Sequence, residues 1–363
     1  MSLKVIVACG GTGGHLFPGI AVAEVLQERG HECLVLISEK KIDALAVKGH
    51  DHLRFETVEA VAMPKLLSPK IVPFAFKMWR TIGQCRKIIR EFGADAVLGM
   101  GGFTSLPPVW AGKRHGAKTF IHDSNAIPGR ANKLTARFTD TVCLGLKECA
   151  RYFEGKSTKV TGTPVRSSLK EKIDRKAARE EFGLGSAVSH VLLVMGGSQG
   201  AQGINRAVVE AFRELPEGLG VIHLSGPDGF EETKAGYGET ADRVHVAPFC
   251  HEMGAAYAAS DFAIARSGAS SLTELSHFGL PSILVPYPFA ADDHQTKNAE
   301  VFTSADAAVL MKQDEFNAEK VAGILGGWMT DKDGFEALRE RVFGLAVPNV
   351  AGNICDLIEE ACR

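Results

Sequence analysis

Two segments of this chain carry the same pattern. VIVACGGTGGH (residues 5 to 15) and LLVMGGSQGAQGIN (residues 192 to 205) each run from an apolar, β-branched stretch through a glycine-rich loop into a helical pattern. This pairing constrains the fold more than any other feature. Glycines at the end of a strand let the backbone turn tightly and approach a ligand. The helix that follows presents its N-terminus, a partially positive end suited to an anion. The repeat is far too long in period for a solenoid and reads as one Rossmann-type unit occurring twice. With 363 residues and ~150 residues per domain, two domains are expected.

The rest of the chain fits that frame. Candidate strands fall at Val5–Cys9, Cys33–Ser38, Ala96–Met100, Lys118–His122 and Thr141–Leu144, and again at His190–Met195, Val221–Ser225, Val244–Ala247, Phe262–Ala265 and Ile283–Pro286. Helical patterns at Gly19–Arg29, Phe74–Glu91, Arg130–Arg137, Gln202–Leu215, Ser271–Phe278, Gln295–Thr303 and Ala318–Trp328 lie between them. Near-continuous apolar strands alternating with helices predict a doubly wound α/β fold, its parallel sheets covered on both faces. The boundaries read as a first domain at 1–166, a second at 167–345, and a terminal helical segment at 346–363 after the break at Pro348. That segment either closes the second domain or crosses back to the first.

Composition excludes several classes. Hydrophobic residues make up 45% and charged residues 23%, an ordinary globular balance. A net charge of -2 gives no general reason to expect nucleic acid as a partner. The eight cysteines form no Cys-x-x-Cys pair, so reduced thiols of a cytosolic protein are expected rather than a disulfide framework or zinc ribbon. The first apolar run stops at Cys9, too short for a signal-peptide core, and no window suits a membrane-spanning helix.

Candidate site residues gather at strand ends. GGTGGH lacks the spacing of a dinucleotide fingerprint, and GGSQGA lacks the Gly-Lys-Ser/Thr of a P-loop. Both loops are expected on the carboxyl edges of their sheets, where open α/β sheets bind ligands. Two such domains facing each other would enclose a cleft for two substrates. His15 lies at the start of the first helix, expected in the loop, where an imidazole can face a pocket or serve the fold alone. Ser198 and Gln199 can donate to phosphate oxygens. In the dense stretch 265 to 300, Ser270 or Ser271 is the expected N-cap of a helix. Glu274 would then be either a capping carboxylate or a ribose ligand. Asp292, Asp293 and His294 read as a polar loop cap more readily than as metal ligands, and Gln295 is set to reach a sugar. Between residues 61 and 90, Lys65, Lys70, Lys77, Arg80, Arg86, Lys87 and Arg90 interleave with Phe74, Phe76 and Trp79, with no acid among them. That is a solvated basic helix or a face for an anionic membrane.

Together, GGTGGHLFPGIAVAEVL, HDSNAIPGRANKL, TGTPVR, GGSQGAQGINRAV and RSGASSLTELSHFGLPSILVPYPFAADDHQTKNA resemble the MurG family in order, from residue 10 to residue 299. These are UDP-N-acetylglucosamine:N-acetylmuramyl-(pentapeptide) pyrophosphoryl-undecaprenol N-acetylglucosaminyltransferases. The resemblance implies a GT-B fold, two Rossmann-like domains with parallel sheets facing a central cleft. It implies an inverting transfer of N-acetylglucosamine from UDP-N-acetylglucosamine to lipid I, giving lipid II, with no cofactor and no catalytic metal. The sole Asp-x-Asp, Asp331-Lys332-Asp333, falls in a predicted turn.

The resemblance further assigns His15 as base. It places Thr12, Gly13 and Gly14 on the donor sugar or acceptor diphosphate, Asn125 on the donor sugar, and Arg166 and Ser198 near the diphosphate. Cys250, beside Phe249, would contact uracil. Ala269, Ser270, Ser271, Leu272, Thr273 and Glu274 would wrap uridine and ribose, with Glu274 on the ribose hydroxyls, and Gln295 would bind sugar hydroxyls. The implied location is the cytoplasmic face of the bacterial inner membrane, peripherally on anionic lipid, with other cell-wall synthesis and division proteins as partners. Where the family commonly has His-Glu-Gln-Asn, Gly-Asn-Pro and Gly-Gly-Tyr, this chain has His122-Asp123-Ser124-Asn125, Gly162-Thr163-Pro164 and Gly101-Gly102-Phe103. The rival readings are another enzyme of the same fold, such as a UDP-N-acetylglucosamine 2-epimerase, and a nucleotide-binding regulatory module.

Overall fold

A computed structural model describes residues 2–10, 13–39, 49–59, 64, 69, 71–170, 173–197 and 200–363, without the side chains of 168, 170 and 239–241. The chain forms two compact units, Met1–Ser167 with Val347–Arg363, and Ser168–Ala346.

In the first unit, β1 (Lys4–Ala8), β2 (Glu32–Ser38), β3 (Arg54–Val58), β4 (Ala96–Gly99), β5 (Lys118–Asp123), β6 (Thr141–Leu144) and β7 (Ser157–Val160) form one sheet in the order β3-β2-β1-β4-β5-β6-β7. Every pairing is parallel. Among the described residues its helices are α1 (Gly13–Glu28), α2 (Ile71–Phe92), α3 (Gly102–His115) and α4 (Arg130–Thr135). Alternation along β1 accounts for its burial on both sides. Val5 and Val7 enter one core with Leu16, Ile20 and Leu26 of α1, while Ile6 and Ala8 enter the other with Ile88, Ile89 and Phe92 of α2.

The second unit repeats the plan. Its strands β8 (His190–Met195), β9 (Leu219–Leu224), β10 (Val244–Ala247), β11 (Phe262–Ala265), β12 (Ser282–Leu284) and β13 (Ala308–Leu310) are ordered β10-β9-β8-β11-β12-β13, again all parallel. Its helices are α5 (Arg175–Glu181), α6 (Gln202–Ala211), α7 (Phe230–Gly236), α8 (Met253–Ala259), α9 (Ala269–His277), α10 (His294–Thr303), α11 (Ala318–Thr330) and α12 (Lys332–Phe343). Asp261, at the start of β11, is a buried tie point: it accepts from Arg175 (2.6 Å) and Arg179 (2.7 Å) of α5 and from the Val191 N–H of β8 (2.7 Å).

The last helix, α13 (Val350–Cys362), belongs to the first unit. Val350, Ala351, Ile354, Cys355 and Ile358 are buried in the core that α1 lines. Arg29 at the end of α1 pairs with Asp356 (2.6 Å) and Glu359 (3.0 Å). Among the described residues, which include all eight cysteines, there is no disulfide. Burial pushes the Cys85 and Cys143 thiols up to about 12.

Several helices differ from expectation: α7 and α8 were not among those expected, α2 starts at Ile71 with Pro73 inside it, and α1 and α3 depart near the site. α1 begins already at Gly13 and carries Pro18 in its interior rather than opening after it, so His15 stands in the first helical turn and not in the loop. α3 was not expected at all, because Pro107 and Pro108 lie within it, and proline ordinarily ends a helix.

The burial of α13 makes a measurable prediction. Ile354 is fully buried. Ile354→Ala should destabilise the first unit by about 2–5 kcal/mol, as a core truncation does. Urea unfolding followed in the first unit checks this; an unchanged midpoint would mean that α13 contributes nothing to that core.

Candidate active site

In each sheet the strand order reverses direction at one place, between β1 and β4 in the first unit and between β8 and β11 in the second. At such a point the loops leave to opposite faces and open a crevice at the carboxyl edge. Both strands at each point feed helices: β1 leads to α1 and β4 to α3, β8 leads to α6 and β11 to α9. The N-caps of α3 and α9 are Gly101 and Gly268, which have no side chain to cap with, and Ala201 before α6 gives none either. The first-turn N–H groups of these helices are thus left to other acceptors.

In the first unit His15 is half-buried against the start of α3. A methyl on Gly101 would lie 2.9 Å from His15 Nε2, and one on Gly102 would lie 3.4 Å from its Cε1. Gly101 also has φ 117°, so only glycine suits both the conformation and the space. Ser105 secures this turn: its Oγ accepts from the Gly101 N–H (3.1 Å) and lies 2.7 Å from Gly101 O and 3.0 Å from Ala8 O.

Beside it stands a buried polar group. The Nε2 of His122 bonds the Gly162 carbonyl at 2.8 Å. The Asp123 carboxylate accepts from the N–H groups of Asn125 (3.1 Å) and Gly129 (3.0 Å) and from Asn132 Nδ2 (2.8 Å). Asn132 Nδ2 also reaches His122 O (2.9 Å), while its Oδ1 is buried without a partner. Burial, with a smaller contribution from the neighbouring His15, drives the His122 pKa down to about 4. Burial raises the Asp123 carboxyl despite its donors. Arg166 stacks over the Phe17 ring of α1, 4.4 Å from its centroid. Phe103 packs edge-on against Phe74 at 6.1 Å.

In the second unit the loop after β8 lies flush against the end of β9. A methyl on Gly200 (φ 74°) would meet Ser225 O at 2.1 Å. Asn205 of α6 donates to that same carbonyl (2.8 Å) and faces His223 (3.1 Å), whose other nitrogen meets Tyr237 (2.8 Å). Burial takes the His223 pKa down to about 3.

Within α9, Ser270 and Ser271 lie in the first turn instead of capping it, since the cap is Gly268. Thr273 back-bonds to Ala269 O (2.9 Å) and Leu272 is buried. Glu274 is no capping carboxylate; it accepts a 2.6 Å bond from the buried Tyr257 hydroxyl. Gln295 accepts from the Tyr287 N–H (2.9 Å), which directs its amide, and its carbonyl accepts from Ser267 Oγ (2.8 Å). Cys250 is half-buried beside the half-exposed Phe249 ring, itself edge-on to His251 at 4.9 Å.

The structure therefore gathers His15, Gly13 and Gly14 at one switch point, and the α9 residues with Gln295 around another. Thr12 and Ser198 lie outside the described residues. Asp293 and His294 have local partners, Thr296 (2.7 Å) and Ala291 O (2.8 Å), and Asp331 caps α12 through the Gly334 N–H (3.0 Å). Ser105, Asn132, Asn205 and Tyr257 were not singled out from the sequence. Asn132 stands inside the quoted HDSNAIPGRANKL motif and Asn205 inside GGSQGAQGINRAV, but Ser105 and Tyr257 carried no signal.

Two Rossmann-like units with ligand loops at their switch points define the GT-B class of nucleotide-sugar enzyme. Residues 5–144 match the glycosyltransferase family 28 N-terminal domain and residues 191–337 its C-terminal domain. A "UDP-N-acetylglucosamine--N-acetylmuramyl-(pentapeptide) pyrophosphoryl-undecaprenol N-acetylglucosamine transferase" of Geotalea daltonii is 38% identical over 88% of this chain and 87% of its own length. The crystal structure of Acinetobacter baumannii MurG superposes with a TM-score of 0.77 at 26% identity, covering 99% of this chain and 100% of that one. A "putative UDP-N-acetylglucosamine 2-epimerase from Listeria monocytogenes" shares the fold alone, with a TM-score of 0.73 at 16% identity over 99% of this chain and 97% of that one. This chain belongs to the MurG family of glycosyltransferases.

The buried imidazoles carry a pH prediction. A depressed folded pKa means that below about 6.5 the unfolded chain binds protons which the folded chain refuses. Stability present at pH 7 is therefore lost as pH falls from 6.5 towards 4. His122→Gln should remove one such proton and flatten the slope by ~1.4 kcal/mol per pH unit. Urea midpoints measured from neutral to mildly acid pH test this; parallel slopes for variant and wild type would mean that His122 is protonated in the fold.

Proposed function

We propose that this chain transfers N-acetylglucosamine from UDP-N-acetylglucosamine to lipid I, the undecaprenyl-diphosphate-linked N-acetylmuramyl-pentapeptide, forming lipid II for peptidoglycan. The observation that carries this reading is the near-full-length identity to a transferase named for that reaction, together with a ligand loop at the switch point of each unit. The first unit serves the acceptor and the second binds the nucleotide sugar.

The acceptor hydroxyl attacks the anomeric carbon opposite the leaving UDP, inverting the linkage, while His15 takes its proton. The Gly101–Gly102 turn against the His15 ring supports this role, since it fixes the imidazole without a large side chain over it. His122, held neutral by burial, places no second positive charge there. The departing diphosphate gains charge, which Arg166 and first-turn N–H groups stabilise. Glu274 accepts the ribose hydroxyls, oriented by Tyr257. Gln295 offers its amide to the sugar, and Asn125 is proposed on the donor sugar on family resemblance. On family resemblance Thr12 is proposed on the donor sugar or acceptor diphosphate, and Ser198 near the leaving diphosphate.

Lipid I cannot leave the bilayer cheaply, at ~0.8 kcal/mol per exposed CH₂, so the enzyme comes to the lipid. The outer stripe of α2 supports a peripheral docking face on anionic lipid at the cytoplasmic side of the inner membrane. Val72, Phe76 and Trp79 are 71%, 64% and 71% exposed along it, and Arg86 and Arg90 continue it. Two expectations need revision. Phe74 turns toward Phe103, and Glu59 neutralises Arg80 (2.7 Å) and Lys77 (3.4 Å), so the charge available to lipid lies further along the helix. No described helix is long and apolar enough to cross a membrane. Contacts with other cell-wall synthesis and division proteins belong to the same proposal.

Radiolabelled UDP-N-acetylglucosamine with a lipid I analogue tests the reaction: a labelled disaccharide lipid is expected, and hydrolysis or epimerisation without transfer would refute it. In this assay Glu274→Ala should raise the donor KM by ~10–100-fold, the worth of hydrogen bonds to a charged group. His15→Ala should instead lower kcat by ~10²–10⁴-fold. Normal UDP affinity in the first variant, or near-normal kcat in the second, would remove that residue from the mechanism. For the membrane face, Phe76→Ser with Trp79→Ser should cut sedimentation with anionic vesicles at least ~10-fold, given ~1.5–3 kcal/mol per apolar side chain buried. Turnover of a short-chain acceptor should stay near wild type. Unchanged sedimentation would put the membrane contact elsewhere.

A further inference from the structure

One cluster of metal-ligating side chains among the described residues stands apart from both glycine loops: Glu24 of α1 with His50 and His52 of the segment leading into β3. We propose that these three residues bind a borderline-soft divalent cation, with Zn²⁺ the best match. His50 Nδ1 lies 3.0 Å and His52 Nε2 3.7 Å from the same oxygen, Oε1 of Glu24. All three donor atoms fall within 4.8 Å of one another. Zn–N and Zn–O bonds of about 2.0–2.2 Å at tetrahedral angles separate donor atoms by about 3.3–3.6 Å. The observed spacings bracket that edge, so small side-chain rotations suffice to seat the ion.

The donor set narrows the metal. Two imidazole nitrogens and one carboxylate suit zinc and its first-row neighbours, whereas magnesium and calcium prefer oxygen alone. The frame is built before any ion arrives. Glu24 sits on a regular helix with its side chain 12% exposed. Gln27, on the same helix, donates to the His52 carbonyl (2.9 Å), and the N–H of the buried Leu53 donates to the His50 carbonyl (2.9 Å). The His52 side chain is 52% exposed, which leaves a side open for water as a fourth ligand. An ion here would staple the approach to β3 onto α1. Glu24 follows His15 by nine residues on α1, about 13.5 Å of helix rise, so the ion is assigned a structural part and not a catalytic one.

The test uses the untagged full chain stripped with a chelator. Titration should show one Co²⁺ per chain with the visible absorption of a four-coordinate site, displaced by Zn²⁺, and Zn²⁺ should raise the Tm. Glu24→Gln, which is isosteric, and the double variant His50→Ala with His52→Ala should each weaken binding by more than ~100-fold, beyond what loss of an outer-shell partner costs. Their Tm without metal should stay near that of the wild type, and Zn²⁺ should no longer shift it. Absence of Co²⁺ and Zn²⁺ binding at micromolar concentration in the wild type would overturn the proposal. So would undiminished binding in the folded Glu24→Gln variant.

Discussion

The close approach of backbone to its neighbours at the strand–helix turns is the constraint on which the rest depends. At Gly200 the chain passes so near Ser225 O that a single methyl would collide with it. At Gly101 the chain both adopts a left-handed conformation and lies against the His15 ring. These contacts bring the helix starts to the carboxyl edges of the sheets, at the points where strand order reverses. Larger residues there would push α6 or α3 away from its strand. The chemistry then lacks its anion-binding ends and a fixed imidazole.

Around those turns, buried polar groups are spent on holding position. His122 and Asp123 bind backbone and Asn132, and the Asn205–His223–Tyr237 chain holds the carbonyl that Gly200 abuts. Arg266, at the end of β11, gives its guanidinium to the carbonyls of Val285 (3.0 Å) and Pro286 (2.9 Å) and to Gln313 (2.5 Å). It is thus a strut of the loop, and burial lowers its pKa without freeing it for a phosphate. By contrast the Tyr257 hydroxyl aims the Glu274 carboxylate and the Tyr287 N–H aims the Gln295 amide.

The doubly wound architecture was legible because core strands read as near-continuous apolar runs: β8 and β11 have the bounds their sequences predict. Of the edge strands only β10 was. β3 mixes polar with apolar residues and is only partly buried, β7 is polar and largely exposed, and β13 has three half-buried residues, so none presents the apolar run of a core strand. α3 hid behind Pro107-Pro108, whose missing N–H groups the surrounding packing tolerates. Site loops were visible from their glycines and from family motifs. Partners supplied from distant parts of the chain were not: Tyr257 reaches Glu274 from another helix, and Glu59 reaches Arg80 across 21 residues. The cluster of Glu24 with His50 and His52 escaped notice for the same reason, as it joins residues that only folding brings together.

The most direct test of this account is the turnover of Gly101→Ala. The substitution removes no proposed ligand side chain and acts at the turn beneath His15. If that turn positions the base, the added methyl should lower kcat by ~10-fold or more, the scale on which small misplacements cost rate. UDP binding to the second unit should be unchanged. A Gly101→Ala enzyme with wild-type kcat and an intact fold would show that His15 needs no such support, and would contradict the account.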